Sequence, residues 1–193
     1  MKRLFFSLFL LSLLDSGLAQ ENKYRRFRLE IEPNSFFQRG VSGSVFYTID
    51  KKGLWSVGAY SASFDLPKWT LDRIFTNVDK ELSSARLGFQ ASASLRRKIK
   101  VFCAYESNPY LGIMLGWQYF DVIQQPLPDP VRLSTFLITP NVGYEFYLYN
   151  RQLYINPQVR FVFYAGQESD TPLRTEAVGS FFLLPQAIVG FKF

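Results

Sequence analysis

Residues 26–32 read Arg26-Phe27-Arg28-Leu29-Glu30-Ile31-Glu32, and their order decides the fold. In an extended chain successive side chains point to opposite faces. Phe27, Leu29 and Ile31 therefore share one face, while Arg26, Arg28, Glu30 and Glu32 share the other. Apolar residues at every second position exclude a helical stripe, which needs them at every third or fourth. A soluble barrel would bury the apolar face and wet the charged one. If the strand crosses a bilayer the phase is opposite and strongly enforced. Each Arg or Lys turned to lipid at mid-depth costs about 2–4 kcal/mol, against a total stability of about 5–15 kcal/mol.

The same alternation continues to the last residue. Val41, Gly43, Val45, Tyr47 and Ile49 share a face, and Asp50-Lys51-Lys52-Gly53 then reads as a tight hairpin turn into a strand from Leu54 to about Phe64. Beyond a polar stretch at 65–84, Leu87, Phe89, Ala91, Ala93 and Leu95 alternate with Arg86, Gln90 and Arg96. Further strands are expected from Tyr110 to Val122, from Phe136 to Leu148, from Leu153 to Tyr164 and from Phe181 to the C-terminus. That makes eight strands, joined alternately by tight turns (50–53, 149–152) and longer loops (65–84, 124–131, 167–176), the rhythm of a membrane barrel. Residues 97–108 fit the scheme least well. Val101, Cys103 and Tyr105 could make a ninth strand, but parity and Asn108-Pro109 favour a long periplasmic connection.

The N-terminus supplies the export signal. Met1-Lys2-Arg3 precedes an apolar run from Leu4 to Leu14, and Gly17-Leu18-Ala19 offers small residues for cleavage. The run is about half the roughly 20 residues of a spanning helix. Residues 1–19 are thus expected to be a cleaved signal peptide and 20–193 one domain. Cys103 is the only cysteine, so no internal disulfide is available. Histidine is absent, which rules out Ser-His-Asp and Cys-His nucleophiles and His-ligated zinc. Aromatics make up 18% of the chain at near-zero mean hydropathy, the balance expected of strands with one apolar and one polar face. They also fall at two levels, Trp117, Tyr119, Phe136, Phe161, Phe163 and Phe181 at one end and Tyr47, Trp55, Phe146, Phe191 and Phe193 at the other, as interfacial girdles would.

The last strand, Ala187-Ile188-Val189-Gly190-Phe191-Lys192-Phe193, ends on a phenylalanine and resembles the assembly signal of outer-membrane barrels, with Phe191 and Phe193 as its aromatic positions. Residues 21–193 as a whole resemble the small OmpA-like and OmpX-like barrels, particularly those of Bacteroidota. The resemblance implies an all-β fold, an eight-stranded antiparallel up-and-down transmembrane β-barrel in the outer membrane. Outer-membrane lipids and the barrel-assembly machinery are its expected partners, with a larger envelope complex as a further association. Nucleic acid is excluded as a partner by export, and no cofactor, metal or catalytic residue is expected. Small-barrel lipid A deacylases, omptin proteases and palmitoyl transferases use a histidine, which this chain lacks.

An eight-stranded barrel is only wide enough for its own side chains. The inward set is expected to be Arg26, Arg28, Glu30, Glu32, Arg86, Gln90, Arg96, Glu145, Arg160 and Lys192, a structural network in which buried charges must pair. A carboxylate pair for acid–base chemistry, such as Glu30 with Glu145, would have no supporting nucleophile. Net charge is +6, falling to +5 when Lys2, Arg3 and Asp15 leave with the signal; the excess on Lys51, Lys52, Arg96, Arg97, Lys98, Lys100 and Arg151 faces anionic periplasmic headgroups. Asp65 to Phe75 has a helix-start pattern and would sit on the barrel rim. Mid-strand prolines at 140, 157 and 185 suggest bulges that bend the wall. The function expected is therefore structural, adhesive or accessory. A histidine-independent lipid-modifying barrel enzyme and a soluble secreted lipid-binding barrel are the alternatives.

Overall fold

The structure, a computed structural model, describes residues 26–75, 83–99, 108–124, 129–148, 152–169 and 181–193. The strands follow in chain order as β1 (Phe27–Ile31), β2 (Val41–Thr48), β3 (Trp55–Asp65), β4 (Ser83–Lys98), β5 (Asn108–Gln124), β6 (Val131–Tyr147), β7 (Leu153–Ser169) and β8 (Phe181–Lys192). Each pairs antiparallel with its neighbour, and β1 closes on β8. This is the eight-stranded up-and-down barrel read from the periodicity. Residues 1–19, Cys103, and Val101 and Tyr105 of the 97–108 segment lie outside the described residues. Arg97 and Lys98 belong to β4 itself.

The hairpin at 50–53 is held by its own side chain. The Asp50 carboxylate accepts the N–H of Trp55 at 2.7 Å and of Leu54 at 3.1 Å, and Gly53 takes a φ of +70°, which favours glycine.

Among the described residues two short helices interrupt the strands, α1 (Pro33–Phe37) and α2 (Lys68–Ile74). The sequence pattern placed a helix start at Asp65, but β3 runs through Asp65 and the helix starts after Pro67. Nor does α2 lie flat on the rim: Leu71, Ile74 and the following Phe75 are buried in an apolar cluster with Leu87, Met114, Phe120 and Phe182. Its apolar side plugs one mouth of the barrel, while Trp69 stays exposed with Arg73 against its ring.

Three register shifts mark the wall, at Ala62/Phe64, Leu87/Phe89 and Thr135/Phe136. None coincides with a mid-strand proline, so the bulges expected at Pro140, Pro157 and Pro185 are not there. Around Pro140 and Pro157 the β6–β7 ladder skips pairs but keeps one register on both sides, as from Ile138↔Phe163 to Asn141↔Arg160. A missing N–H removes a hydrogen bond without adding a residue.

Closure between β1 and β8 is short. Only Arg28 to Ile31 pair with Lys192 to Val189, supplemented by reciprocal Phe27–Phe193 backbone bonds of 3.1 and 3.0 Å. From Phe181 to Ile188, β8 has no strand partner on the β1 side among the described residues, and α1 packs there instead, touching β8, β2 and β3. The Phe193 N–H points to β1, whereas that of Lys192 points to the β7 side, donating to Gln152. Odd-numbered donors of β8 therefore face the uncovered edge, and Pro185 brings none to it.

Candidate functional site

The lumen holds the charged chemistry, because inward positions alternate with outward ones along every strand. Val45, Val57, Leu95, Leu111, Leu115 and Val142 are exposed on the outside, while Arg28, Glu30, Arg96 and Glu145 are at most 3% exposed within. The aromatic side chains of the outer surface touch in two sets. At one end Phe163 lies 5.0 Å from Phe181 and Trp117 5.6 Å from Tyr119; at the other Phe27 meets Tyr47 at 5.0 Å and Phe193 at 6.1 Å.

Among the described residues three buried carboxylates organise the interior, each with a cation and at least one hydroxyl donor. Glu145 on β6 accepts from Arg28, Lys98 and the Tyr147 hydroxyl. Glu30 on β1 accepts from Arg96 at 2.6 Å, the Tyr154 hydroxyl at 2.8 Å and Ser44 at 3.1 Å. Glu32, just past β1, accepts from Arg160, Ser42 at 2.9 Å, Tyr60 at 3.1 Å and Gln186 at 3.2 Å. Aromatic faces shield the cations: Arg96 lies 3.8 Å from the Phe46 centroid and 4.8 Å from that of Tyr110, and Arg160 lies 4.7 Å from Tyr60. Burial without partners would cost several kcal/mol per ion, so this arrangement of paired, hydrogen-bonded charges is the form in which such ions persist.

Small residues make room for these rings. At Gly190 a Cβ would fall 2.1 Å from the Tyr154 ring, and at Gly143 a Cβ would fall 2.4 Å from the Tyr110 hydroxyl. Both tyrosines are fully buried; Tyr154 donates to Glu30, and Tyr110 donates to Gln158 at 2.7 Å.

Of the ten residues read as luminal, Arg28, Glu30, Glu32, Gln90, Arg96, Glu145 and Arg160 are buried inside. Gln90 donates to Ser92 at 3.2 Å. Arg26 is half-buried and donates to Tyr47 at 2.9 Å, and half-buried Lys192 sits across from Arg28 on the closing strand. Arg86 is a correction. It points outward, exposed, and pairs with Asp65 at 2.7 Å. The register shift at Leu87/Phe89 adds one residue to β4, which reverses the phase before it and turns Leu87 and Ala85 inward. Lys98, Tyr60, Tyr110, Tyr147 and Tyr154 belong to the network but were missed. Lys98 falls in the segment expected to be a connection, whereas strand parity already puts Tyr154 on the face of Arg160 and Tyr110 opposite the Leu111 face, so alternation carries a signal for these two tyrosines.

Glu30 and Glu145 are committed to cations and tyrosine hydroxyls, and the described residues contain no cluster of potential metal ligands. A closed, antiparallel, eight-stranded barrel with an apolar outside and a charged inside has the arrangement of a bilayer-spanning barrel. The fold is that of the small outer-membrane β-barrels. The chain is similar to the N-terminal β-barrel domain of Pseudomonas aeruginosa OprF, with a TM-score of 0.56 at 11% identity over 89% of this chain and 100% of that one. It is similar also to Neisserial surface protein A, with a TM-score of 0.58 at 11% identity over 90% and 100%. No protein-family model matches the sequence, and no curated protein is significantly similar to it.

Proposed function

We propose that the mature chain is a non-enzymatic integral barrel of the outer membrane with a structural, adhesive or accessory role, its lumen closed by paired charges. The observation that carries this reading is the saturation of all three buried carboxylates, Glu30, Glu32 and Glu145, by cations and hydroxyls from the surrounding wall. Each of the three carboxylates is engaged by a cation and by at least one hydroxyl, which supports a lumen closed by its own side chains rather than an acid–base site. The apolar outer face supports residence in a bilayer, since a soluble form would leave that face in water. In this reading residues 1–19 are removed on export, Phe191 and Phe193 serve the assembly machinery, and Arg97 stacked 5.2 Å from Trp55 marks the inner headgroup level. The long-loop end carries α2 and faces outward, as a surface for an envelope partner. One of the similar folds is by name a surface protein.

Fractionation and planar-bilayer recording test the proposal together. The native protein is expected in the outer membrane and to show no large, stable, open conductance. A soluble periplasmic species recovered without detergent would return the reading to a lipid-binding soluble barrel. A steady porin-like conductance would mean that the lumen is open. Turnover of labelled lipid A or phospholipid would move it to the enzyme class.

A further inference from the structure

At the α2 end the outside of the barrel carries a row of charge. Asp65 on β3 lies opposite Arg86 on β4, Arg86 opposite Asp121 on β5, and Asp121 opposite Arg132 on β6. Facing residues of an antiparallel pair share a face, with Cβ atoms about 4.5–5.5 Å apart. These four therefore form one rung on the outer surface, ion-paired at 2.7 Å between Arg86 and Asp65 and at 2.9 Å between Arg132 and Asp121. Arg39 extends the rung beyond β3, because the Asp65 N–H donates to the neighbouring Gln38 carbonyl at 2.8 Å. All five, with Ser84, line one surface depression of about 610 Å³. Three guanidinium groups against two carboxylates leave one positive charge in excess.

The rung stands just past the aromatic level of the outer surface. Asp121 is two residues beyond Tyr119 on β5, about 7 Å along the strand, and the Tyr119 ring holds the Arg132 guanidinium 4.4 Å from its centroid. Charged groups immediately beyond a girdle of Trp and Tyr meet lipid headgroups. A guanidinium has five N–H donors and a carboxylate engages two of them in the bidentate form, so an ion-paired arginine can serve a second anion. The side chains of Arg86 and Arg132 are 47% and 50% exposed. Arg39 is exposed too and has no ion-pair partner among the described residues, where it is the one non-glycine with a positive φ, +52°. That conformation strains an arginine and would not strain glycine, and burial of the side chain does not repay it.

We infer that the rung is a binding site for the phosphate of an outer-leaflet lipid, held by Arg39, Arg86 and Arg132 while Asp65 and Asp121 keep the guanidinium groups in place. A phosphate monoester fits best. It offers three acceptor oxygens to three arginines, and its charge of about −1.5 to −2 outweighs the excess of the rung. The inference rests on the proposed outer-membrane residence with α2 outward, and it names the lipid chemistry that end meets.

Native mass spectrometry of the mature protein in neutral detergent counts the lipid bound. Phosphatidic acid, a lipid phosphate monoester, is the probe; phosphatidylcholine is the covered diester, and glycerol 3-phosphate is the same headgroup without chains. The expected result is one equivalent of phosphatidic acid bound saturably, phosphatidylcholine bound at least about tenfold more weakly, and no displacement by glycerol 3-phosphate in tenfold excess. Arg86→Gln and Arg132→Gln should each weaken phosphatidic acid about tenfold, the equivalent of about 1.4 kcal/mol. Arg39→Gly should weaken it as much without lowering the urea midpoint, since glycine accepts the positive φ; a lowered midpoint would remove Arg39 from the site. Arg97→Gln, at the opposite headgroup level, should change nothing. Adducts that never saturate, or an equal loss with Arg97→Gln, would reduce the effect to general anion attraction and overturn the site. Displacement by glycerol 3-phosphate at equal concentration would overturn the lipid assignment, and equal binding of phosphatidylcholine would overturn recognition of the monoester. The assay runs in detergent, so its failure on a protein that fractionates with the outer membrane counts against this site alone, whereas a soluble periplasmic species counts against the residence on which it rests.

Discussion

At the scale of single residues, Glu145 and Arg86 show how position decides what a charge is worth. Glu145 is fully buried and takes donors from Arg28, Lys98 and Tyr147. Glu145→Ala should strand those cations and destabilise the barrel by about 3–5 kcal/mol. Arg86 makes a single ion pair in solvent-accessible surroundings, so Arg86→Ala should cost under about 1 kcal/mol. Urea unfolding in lipid vesicles would compare the two, and similar midpoints would contradict the assignment of one to the interior and the other to the outside. Gly190→Ala tests the fit of Tyr154: with a Cβ 2.1 Å from its ring, Tyr154 must move and loosen its bond to Glu30, at about 1–3 kcal/mol of overpacking. Glu30, Arg28 and Glu145 were legible as inward residues because their own strands alternate without interruption. Arg86 was not, because the extra residue at the β4 bulge carries no sequence signature beyond Gly88.

At the scale of elements, the instructive strand is β8. Its β7 side is paired from Phe181 to Phe191, whereas on the β1 side pairing begins only at Val189. Amides of Leu183 and Ala187, whose N–H groups face the uncovered edge, should exchange faster with deuterium than those of Phe182 and Leu184, which face β7. Uniform protection along β8 would mean that α1 caps the edge completely. The end of β8 matters for another reason. Phe193 exchanges two backbone bonds with Phe27 and stacks between Phe27 and Phe191, so deleting it removes part of the closing seam as well as the expected assembly signal. Less folded barrel should reach the outer membrane, read as the fraction whose gel mobility shifts on heating; an unchanged fraction would count against both roles. The helix at 68–74 was foreseen, but not its depth. The signal was present in Phe181-Phe182-Leu183-Leu184 and Phe161-Val162-Phe163, where both faces are apolar and the lumen therefore cannot be polar at that height.

At the scale of the whole molecule, the two ends of the barrel differ: an apolar plug under α2 at one, three saturated carboxylates and the chain closure toward the other. If the α2 end faces outward, a cysteine at exposed Lys68 in a Cys103→Ser background should react with an impermeant thiol reagent on intact cells, and one at Lys52 should not. The reverse pattern would invert the orientation. Sequence alone determined the class of this protein, its strand count and the identity of most inward charges, because the pleat imposes period two locally and every strand repeats it. Only the tertiary structure decided which cation meets which carboxylate, where bulges reverse the phase, and that half of the lumen is apolar. Those features depend on which residues distant strands bring opposite one another, and a strand's own alternation records its faces but not its neighbours.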